Sequence, residues 1–156
     1  MAQKKEMTLP ELSETLMEPD PREPEATALE LDELWSFVLK RGNKRWMWIA
    51  LCRARRQVVA YFIGDRSEAG CDKLWERIPA LYRHGHGDSD FWKAYQLVIP
   101  AKQHTPAGKE TGLTAQVERW NLRVAAAART LRQKEPVIFQ VRGDARNLLA
   151  SLSARL

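Results

Sequence analysis

Residues Gly108 to Asn121 read G-K-E-T-G-L-T-A-Q-V-E-R-W-N, a polar loop with two glycines that runs into the start of a helix. Thr114 is a good N-cap residue, and Glu118 falls in the first helical turn, where free backbone N–H groups favour a carboxylate. Glu118 on its own is explained equally well as a residue that complements the helix dipole. Two other acidic residues, Asp32 and Asp90, also lie at element boundaries or inside apolar segments, where a lone carboxylate is costly. Together these three carboxylates suggest a metal site.

The first half of the chain predicts a three-stranded antiparallel meander. From Leu29 onward apolar and polar residues alternate, which is typical of a strand with two different faces. The turn K-R-G-N-K leads to Trp46–Cys52, an apolar run that suits a strand buried on both faces. A third strand, Val58–Ile63, follows the turn R-A-R-R-Q.

Helices and short strands are predicted for the residues that follow the meander. Ser67 should cap a helix that ends near Pro79, and Asp90 should open a second helix that Pro100 stops. A fourth strand should pass between them, although the sequence R-H-G-H-G-D-S-D is a poor strand former. Lys102–Ala107 can add another short strand before the Gly108 loop.

This order of elements predicts an α/β fold of the ribonuclease-H-like class, with a three-stranded meander extended by short strands and helices on the faces. Such domains carry carboxylates on the first strand, after the fourth strand and on a late helix. Asp32, Asp90 and Glu118 fall at those three places.

The length and composition of the chain indicate one folded domain. It has 156 residues, of which 44% are hydrophobic, and six of them are tryptophans. Residues 1–28 are polar, acidic and rich in proline, so we expect a flexible linker there. No run of about 18 apolar residues and no signal-peptide core follows Met1, so we expect a cytoplasmic protein without a membrane span.

Charge is distributed unevenly along the chain. Residues 1–35 carry 3 Lys or Arg against 10 Asp or Glu, whereas residues 36–156 carry 22 against 10. The formal net charge of +5 therefore conceals a body with a net charge of +12. A surface of this kind is suited to binding a polyanion such as a nucleic acid.

Several stretches resemble the InsB-type transposases of the insertion-sequence-one family. They include L-E-L-D-E-L-W-S-F-V, N-K-R-W-M-W-I-A-L-C, D-F-W-K-A-Y and G-K-E-T-G-x-T-x-x-V-E-R-W-N, and the resemblance covers roughly Thr8 to Asn121. It implies an Asp-Asp-Glu triad at Asp32, Asp90 and Glu118. Asp88 is a rival to Asp90, but the sequence D-x-W followed by A-Y favours Asp90.

The resemblance also implies the chemistry and the partners. Two Mg²⁺ (or Mn²⁺) ions held by the triad would serve DNA cleavage and strand transfer at transposon ends in a bacterial cytoplasm. Double-stranded DNA is then the expected partner, and a homo-oligomer is one expected assembly. Two readings from other classes stay open: a non-catalytic basic DNA-binding regulator of transposon ends, and a related metal nuclease that acts on RNA.

Four residues near the triad are candidates for contacts with nucleic acid. Lys109 and Arg119 are expected to contact phosphates, although solvated surface cations explain them equally well. Trp92 and Trp120 lie beside the two later carboxylates in the sequence, and we expect them to line the site.

After Asn121 the chain departs from the family, which continues with a basic helix L-R-Q-R-L-A-R-x-V-R-K-S-L-S-F-S-K and then E-M-H. Here the sequence is L-R-V-A-A-A-A-R-T-L-R-Q-K-E-P-V-I-F-Q-V-R-G-D-A. Codons for these residues, read one nucleotide later, permit the family sequence at a constant register. We infer a frame change between about Asn121 and Val124, so that 29–124 is the catalytic core and 125–156 is an out-of-frame tail. An inactive remnant is one outcome of such a change.

Overall fold

Strand β1 (Leu29–Phe37) lies at the centre of a five-stranded sheet in the order β3-β2-β1-β4-β5. The computed structural model describes Leu12 and residues 16–23, 25–37 and 44–134. The other strands are β2 (Lys44–Cys52), β3 (Gln57–Gly64), β4 (Gly87–Ser89) and β5 (His104–Pro106). The helices are α1 (Glu68–Arg77), α2 (Ala80–Arg83), α3 (Lys93–Val98) and α4 (Ala115–Lys134), with 3₁₀ turns at Ala101–Gln103 and Lys109–Thr111.

The predicted meander is confirmed, because β1 and β2 pair antiparallel and β2 and β3 do the same. β4 is parallel to β1, with Glu30 opposite Asp88, and β5 is parallel to β4. The result is a mixed α/β fold whose sheet order and strand directions are compatible with the ribonuclease-H-like class.

β4 forms although its sequence is a poor strand former. All three of its residues are buried, and the strand pairs on both sides, with β1 and with β5. A Cβ atom at Gly87 would lie only 2.8 Å from Leu31 Cδ1, so the small residue allows the close approach of the two strands. Tertiary pairing therefore overrides the local preference of G-D-S.

Each face of the sheet buries its own apolar cluster. Helices α1 to α3 cover one face, where Leu31 and Trp48 pack against Leu74 and Tyr95. Helix α4 covers the other face. Its cluster there comprises Met47, Ile49, Leu51, Val58, Val117, Trp120 and Val124. Because side chains of a strand alternate between faces, Asp32 lies on the α4 side and Glu33 on the opposite side.

The predicted start of α1 is confirmed, whereas the predicted start of α3 is wrong. Ser67 Oγ accepts a hydrogen bond from the Gly70 N–H at 3.1 Å, which confirms the predicted cap of α1. The helix predicted to open at Asp90 begins at Lys93 instead. The carboxylate of Asp90 accepts a hydrogen bond from the Trp92 N–H at 2.9 Å, so it closes a turn that precedes the helix and is not its N-cap.

The acidic N-terminal segment contacts the body where the structure describes it. The Tyr82 hydroxyl donates to the Met17 carbonyl at 2.6 Å, and Arg55 pairs with Glu23 at 3.1 Å. A flexible linker over 1–28 stays a prediction, since most of residues 1–15 lie outside the described part of the chain. The inferred tail, 125–156, is described only as far as Lys134, where α4 ends.

None of the helices in the described ranges is both long and apolar enough to cross a membrane.

Candidate active site

Asp32, Asp90 and Glu118 line one cavity of about 180 Å³ between the sheet and the start of α4. They come from three elements: the middle of β1, the residue after β4 and the first turn of α4. The other lining residues are Glu33, Trp46, Arg66, Ala107, Lys109 and Thr114.

The Asp32 side chain is hydrogen-bonded to α4. Asn121, one turn after Glu118 in α4, donates its Nδ2–H to Asp32 Oδ2 at 2.7 Å. Burial, followed by the negative charge of Glu33, raises the pKa of the Asp32 carboxyl to about 7. The carboxylate form of Asp32 is therefore poorly stabilised by the protein alone, and a cation in the cavity would favour it.

Glu118 and Asp90 are each held by a local hydrogen bond. The Thr114 hydroxyl donates to Glu118 Oε1 at 2.8 Å, so the predicted cap residue binds the acidic side chain one turn later. Asp90 accepts the Trp92 N–H described above. Both acidic residues are half-buried, with part of their surface open to solvent.

The arrangement separates the rival acids Asp88 and Asp90. Asp88 is buried and pairs with Arg53, with 2.5 Å between Asp88 Oδ2 and Arg53 Nη2. Asp90 lines the cavity with Asp32 and Glu118. Of the two acids, Asp90 therefore has the position expected of a residue of the proposed triad, and Asp88 has that of an ion-pair partner of Arg53.

The other acidic residues of β1, like Asp88, form ion pairs with arginines. Glu30 pairs with Arg53 at 2.9 Å, and Glu33 pairs with Arg66 at 2.6 Å. Within the described residues, none of the three acids of the proposed triad pairs with a Lys, Arg or His side chain at ion-pair distance. The proposed triad therefore consists of acids that lack a basic partner and share one cavity.

Arg53, the first residue after β2, forms hydrogen bonds with β1, with β4 and with the segment just before α4, which are the three elements that carry the proposed triad. It donates to Glu30 on β1, to Asp88 on β4 and to the Leu113 carbonyl just before α4, the last at 2.7 Å. The second oxygen of Glu30 accepts the first free N–H groups of α4, from Gln116 and Val117 at 2.8 and 2.9 Å. A side chain of β1 thus satisfies the start of α4 as an N-cap residue usually does.

Glu33 and Arg66 form a second polar cluster at the cavity, on the other face of β1. The Tyr95 hydroxyl donates to Glu33 Oε2 at 2.7 Å, and Arg66 donates to Oε1. Burial raises the pKa of the Glu33 carboxyl, even though Tyr95 and Arg66 stabilise its charged form. The guanidinium of Arg66 also lies against the rings of Trp46 and Trp92.

The residues predicted to contact nucleic acid have different positions. Lys109 is exposed and lines the cavity, and Arg119 is exposed on α4. Trp92 is half-buried between Trp48 and the cavity residue Arg66. Lys109 is thus the predicted contact that lies at the cavity itself, and Trp92 reaches the cavity through Arg66.

Trp120 does not line the site, and the prediction that it does is wrong. The residue is only 4% exposed and packs in the core cluster between α4 and the sheet. It belongs to the apolar face of α4 together with Val117 and Val124, and this face turns it towards the sheet. Its position close to Glu118 in the sequence therefore says little about which surface it faces.

A divalent cation fits the chemistry of the cavity, although the side chains do not converge on one. In the part of the chain that the structure describes, no three His, Cys, Asp or Glu side chains are close enough to hold a metal ion. The donors are carboxylate oxygens, which Mg²⁺ prefers, and none of the three acids forms an ion pair with another described residue. Binding would require Asp32, Asp90 and Glu118 to move together around the ion.

Sequence reasoning missed Arg53, Arg66 and Glu33. A signal for Glu33 was present, because it falls on the same face of β1 as Leu31, where a buried carboxylate requires a partner. The partners themselves were not accessible in this way, since Arg66 is 33 residues distant from Glu33 and Arg53 is 35 residues distant from Asp88.

Comparison with known proteins gives one family. The sequence model of a family described as IS1 transposase matches residues 26–141. The InsB protein of insertion element iso-IS1n from Shigella dysenteriae is 32% identical over 109 residues, which are 70% of this chain and 80% of that protein. InsB of IS1 from Shigella flexneri is 31% identical over 93 residues, 60% of this chain and 68% of that protein. The family match includes residues 125–141, the first part of the inferred tail.

Proposed function

This chain belongs to the IS1 transposase family, and on that basis we propose that it contains a DDE-type catalytic domain for DNA cleavage and strand transfer. The proposed triad is Asp32, Asp90 and Glu118. Its substrate would be double-stranded DNA at transposon ends, and a homo-oligomer would bring two such ends together. The family match does not favour the alternative of a non-catalytic regulator.

The observation that carries the proposal is the pattern of ion pairs around the cavity. The three acids of the triad share the cavity without an ion-pair partner among the described residues, whereas Glu30 and Asp88 pair with Arg53, and Glu33 pairs with Arg66. Uncompensated carboxylates in a partly buried cavity are unfavourable for stability, so their grouping supports a cation-binding role.

Each residue of the site has a separate task in this proposal. The triad would hold two Mg²⁺ or Mn²⁺ ions. Ions of this kind, held by acidic side chains, supply activation of a water molecule or 3′-hydroxyl and stabilisation of the leaving oxygen. Asn121 orients Asp32, and Thr114 orients Glu118. Lys109 at the rim would bind a phosphate beside the reacting one.

The first test measures thermal unfolding of the full chain with and without Mg²⁺ or Mn²⁺. At a cation concentration one hundred times the Kd, binding to the folded state adds about 2.7 kcal/mol to its free energy of unfolding. We expect this gain in the wild type and its loss in Asp32→Asn, Asp90→Asn and Glu118→Gln. Asp72→Asn is the matched control, because Asp72 is an exposed acid on α1, away from the cavity.

The second test measures nicking of duplex DNA that carries the ends of the element. We expect nicking to require Mg²⁺ or Mn²⁺ and to be lost in the three triad variants but not in Asp72→Asn. Nicking that persists in a chelator, or that survives all three substitutions, would show that the triad assignment is wrong. DNA binding without cation-dependent stabilisation or nicking would instead support the non-catalytic regulator.

A further inference from the structure

Arg66, two residues after β3, lies against two aromatic rings. Its guanidinium carbon lies 4.7 Å from the centre of the Trp46 ring and 4.5 Å from that of Trp92. Trp92 is itself fixed, since its ring packs 5.0 Å from that of the fully buried Trp48. Contacts of this kind between a guanidinium and an aromatic face restrict the arginine to one orientation.

Glu33 holds one edge of the same guanidinium. Arg66 donates from Nε at 2.9 Å and from Nη2 at 2.6 Å, both to Glu33 Oε1. The Glu33 side chain is 2% exposed and also accepts the Tyr95 hydroxyl, so it cannot follow a moving arginine. The remaining nitrogen, Nη1, has no hydrogen-bond partner among the residues that the structure describes.

Arg66 belongs to the wall of the cavity that contains the proposed triad. The arginine side chain is 39% exposed and lines this cavity with Asp32, Asp90 and Glu118. An oriented guanidinium with a free N–H edge is a good ligand for phosphate oxygens, because its donors are already in place. A phosphate that approached the three carboxylates would therefore come close to Arg66.

We propose that Arg66 is a phosphate-binding residue, which donates from Nη1 to a non-bridging oxygen of a DNA phosphodiester in the cavity. This inference rests on the proposed function, since it assumes DNA as the substrate. Arg66 binds without reading sequence, because every phosphodiester presents the same oxygens. Glu33, Tyr95, Trp46 and Trp92 act through Arg66 and are positioning residues.

A purely structural role for Arg66 is the competing explanation, because the arginine also neutralises the buried Glu33. The two roles differ in what Glu33→Gln does to an Arg66→Ala protein. This second substitution removes the buried charge that lost its partner, and it restores the net charge of the wild type. It repairs the structural defect but cannot replace a contact with phosphate.

The experiment measures binding of the full-length variants to a short DNA duplex in a chelator, over a range of salt concentrations. Each phosphate contact contributes about 0.9 to the slope of log affinity against log salt concentration. We expect Arg66→Ala and the double variant Arg66→Ala/Glu33→Gln each to lose about 0.9 from this slope. Arg77→Ala is the matched control, because Arg77 also lies over an aromatic ring, 5.1 Å from the centre of Phe62, but is not among the residues lining the cavity.

The outcomes are distinguishable. If the double variant regains the affinity and the slope of the wild type, Arg66 only neutralises Glu33 and the inference is overturned. If the wild type and all variants bind DNA equally, the inference fails while the proposed function stands. If the wild-type chain does not bind DNA at all, the proposed function fails and this inference fails with it.

Discussion

At the scale of single residues, Arg53 decides how the acids of the site are arranged. Glu30 precedes Asp32 by two residues and Asp88 precedes Asp90 by two, which is one period of a strand. By binding Glu30, Asp88 and the carbonyl group just before α4, Arg53 fixes the relative positions of β1, β4 and the start of α4. Arg53 therefore helps to determine the shape of the cavity, although it is not among the residues that line it.

Replacing Arg53 should destabilise the fold strongly. Arg53→Met keeps most of the side-chain length but leaves the Glu30 and Asp88 side chains, 1% and 4% exposed, without their cation. Breaking a buried ion pair from one side costs about 3–5 kcal/mol, so we expect a loss of that order in chemical denaturation. The triple variant Arg53→Met/Glu30→Gln/Asp88→Asn should recover part of it. Full stability in Arg53→Met would contradict the role given to this residue.

His104 should make stability depend on pH on the acidic side. Burial, and then the neighbouring His86, lower the pKa of the His104 imidazole below its usual 6.5, while Asp88 and Asp90 act in the opposite direction. In the folded state its ring faces the Ser89 hydroxyl at 2.8 Å. Below pH 6.5 the unfolded chain binds a proton more readily than the folded chain, so acidification favours unfolding.

We therefore expect the wild type to lose stability relative to His104→Gln as the pH falls from about 7 through 6.5 and below. The measurement is the free energy of unfolding of both proteins at each pH, and only their difference is interpreted, because carboxylates titrate in both. A difference that is independent of pH in this window would contradict the lowered pKa.

At the scale of elements, α4 combines a part that packs with a part that the frame change would have altered. Val117, Trp120 and Val124 are all less than 5% exposed and belong to the apolar cluster between α4 and the sheet, whereas Ala125 is half-buried and Ala126 is exposed. The helix continues to its last residue, 134, because an Ala-rich sequence is a good helix former whatever its origin.

Limited proteolysis of the full chain should reflect this division. If 125–156 is out of frame, we expect the first cleavages to fall there, because a segment whose sequence was not selected to pack would open locally at little free-energy cost. Residues 115–124 should be protected by the sheet. Mass spectrometry of the early fragments identifies the sites, and strong protection of 125–156 would contradict the out-of-frame tail.

The elements also show which features a sequence can predict. The alternation in β1 and the apolar run in β2 predict both strands correctly, because each pattern has one simple explanation. β4 follows from the order of elements rather than from its own residues, since its stability comes from two neighbouring strands. The start of α3 is misplaced because the Asp90 carboxylate binds the Trp92 N–H in a turn, which has the same sequence signal as an N-cap. Arg53 and Arg66 act across long sequence separations that no local pattern reveals.

For the protein as a whole, the nucleotide sequence of its gene decides whether residues 125–156 are out of frame. If a frame change lies between codons 121 and 124, removal of one nucleotide there should open a frame that encodes L-R-Q-R-L-A-R and S-L-S-F-S-K. The repaired protein would gain about five basic residues near Glu118, and it should bind DNA more tightly with a steeper salt dependence. Sequencing the gene is the direct check, and stop codons in the shifted frame just after Asn121 would exclude the frame change.

The hydrogen bonds of the three cavity acids bear on whether the proposed ions would be needed for folding. Asp32 is bound by an amide of α4, Glu118 by a hydroxyl and Asp90 by a backbone N–H, so each carboxylate has a partner before any ion arrives. Arg53, rather than a metal, holds the surrounding elements together. If the proposed ions bind in the cavity, we expect the chain to fold without them, so that a shortage of divalent ions would leave the site empty but the fold intact.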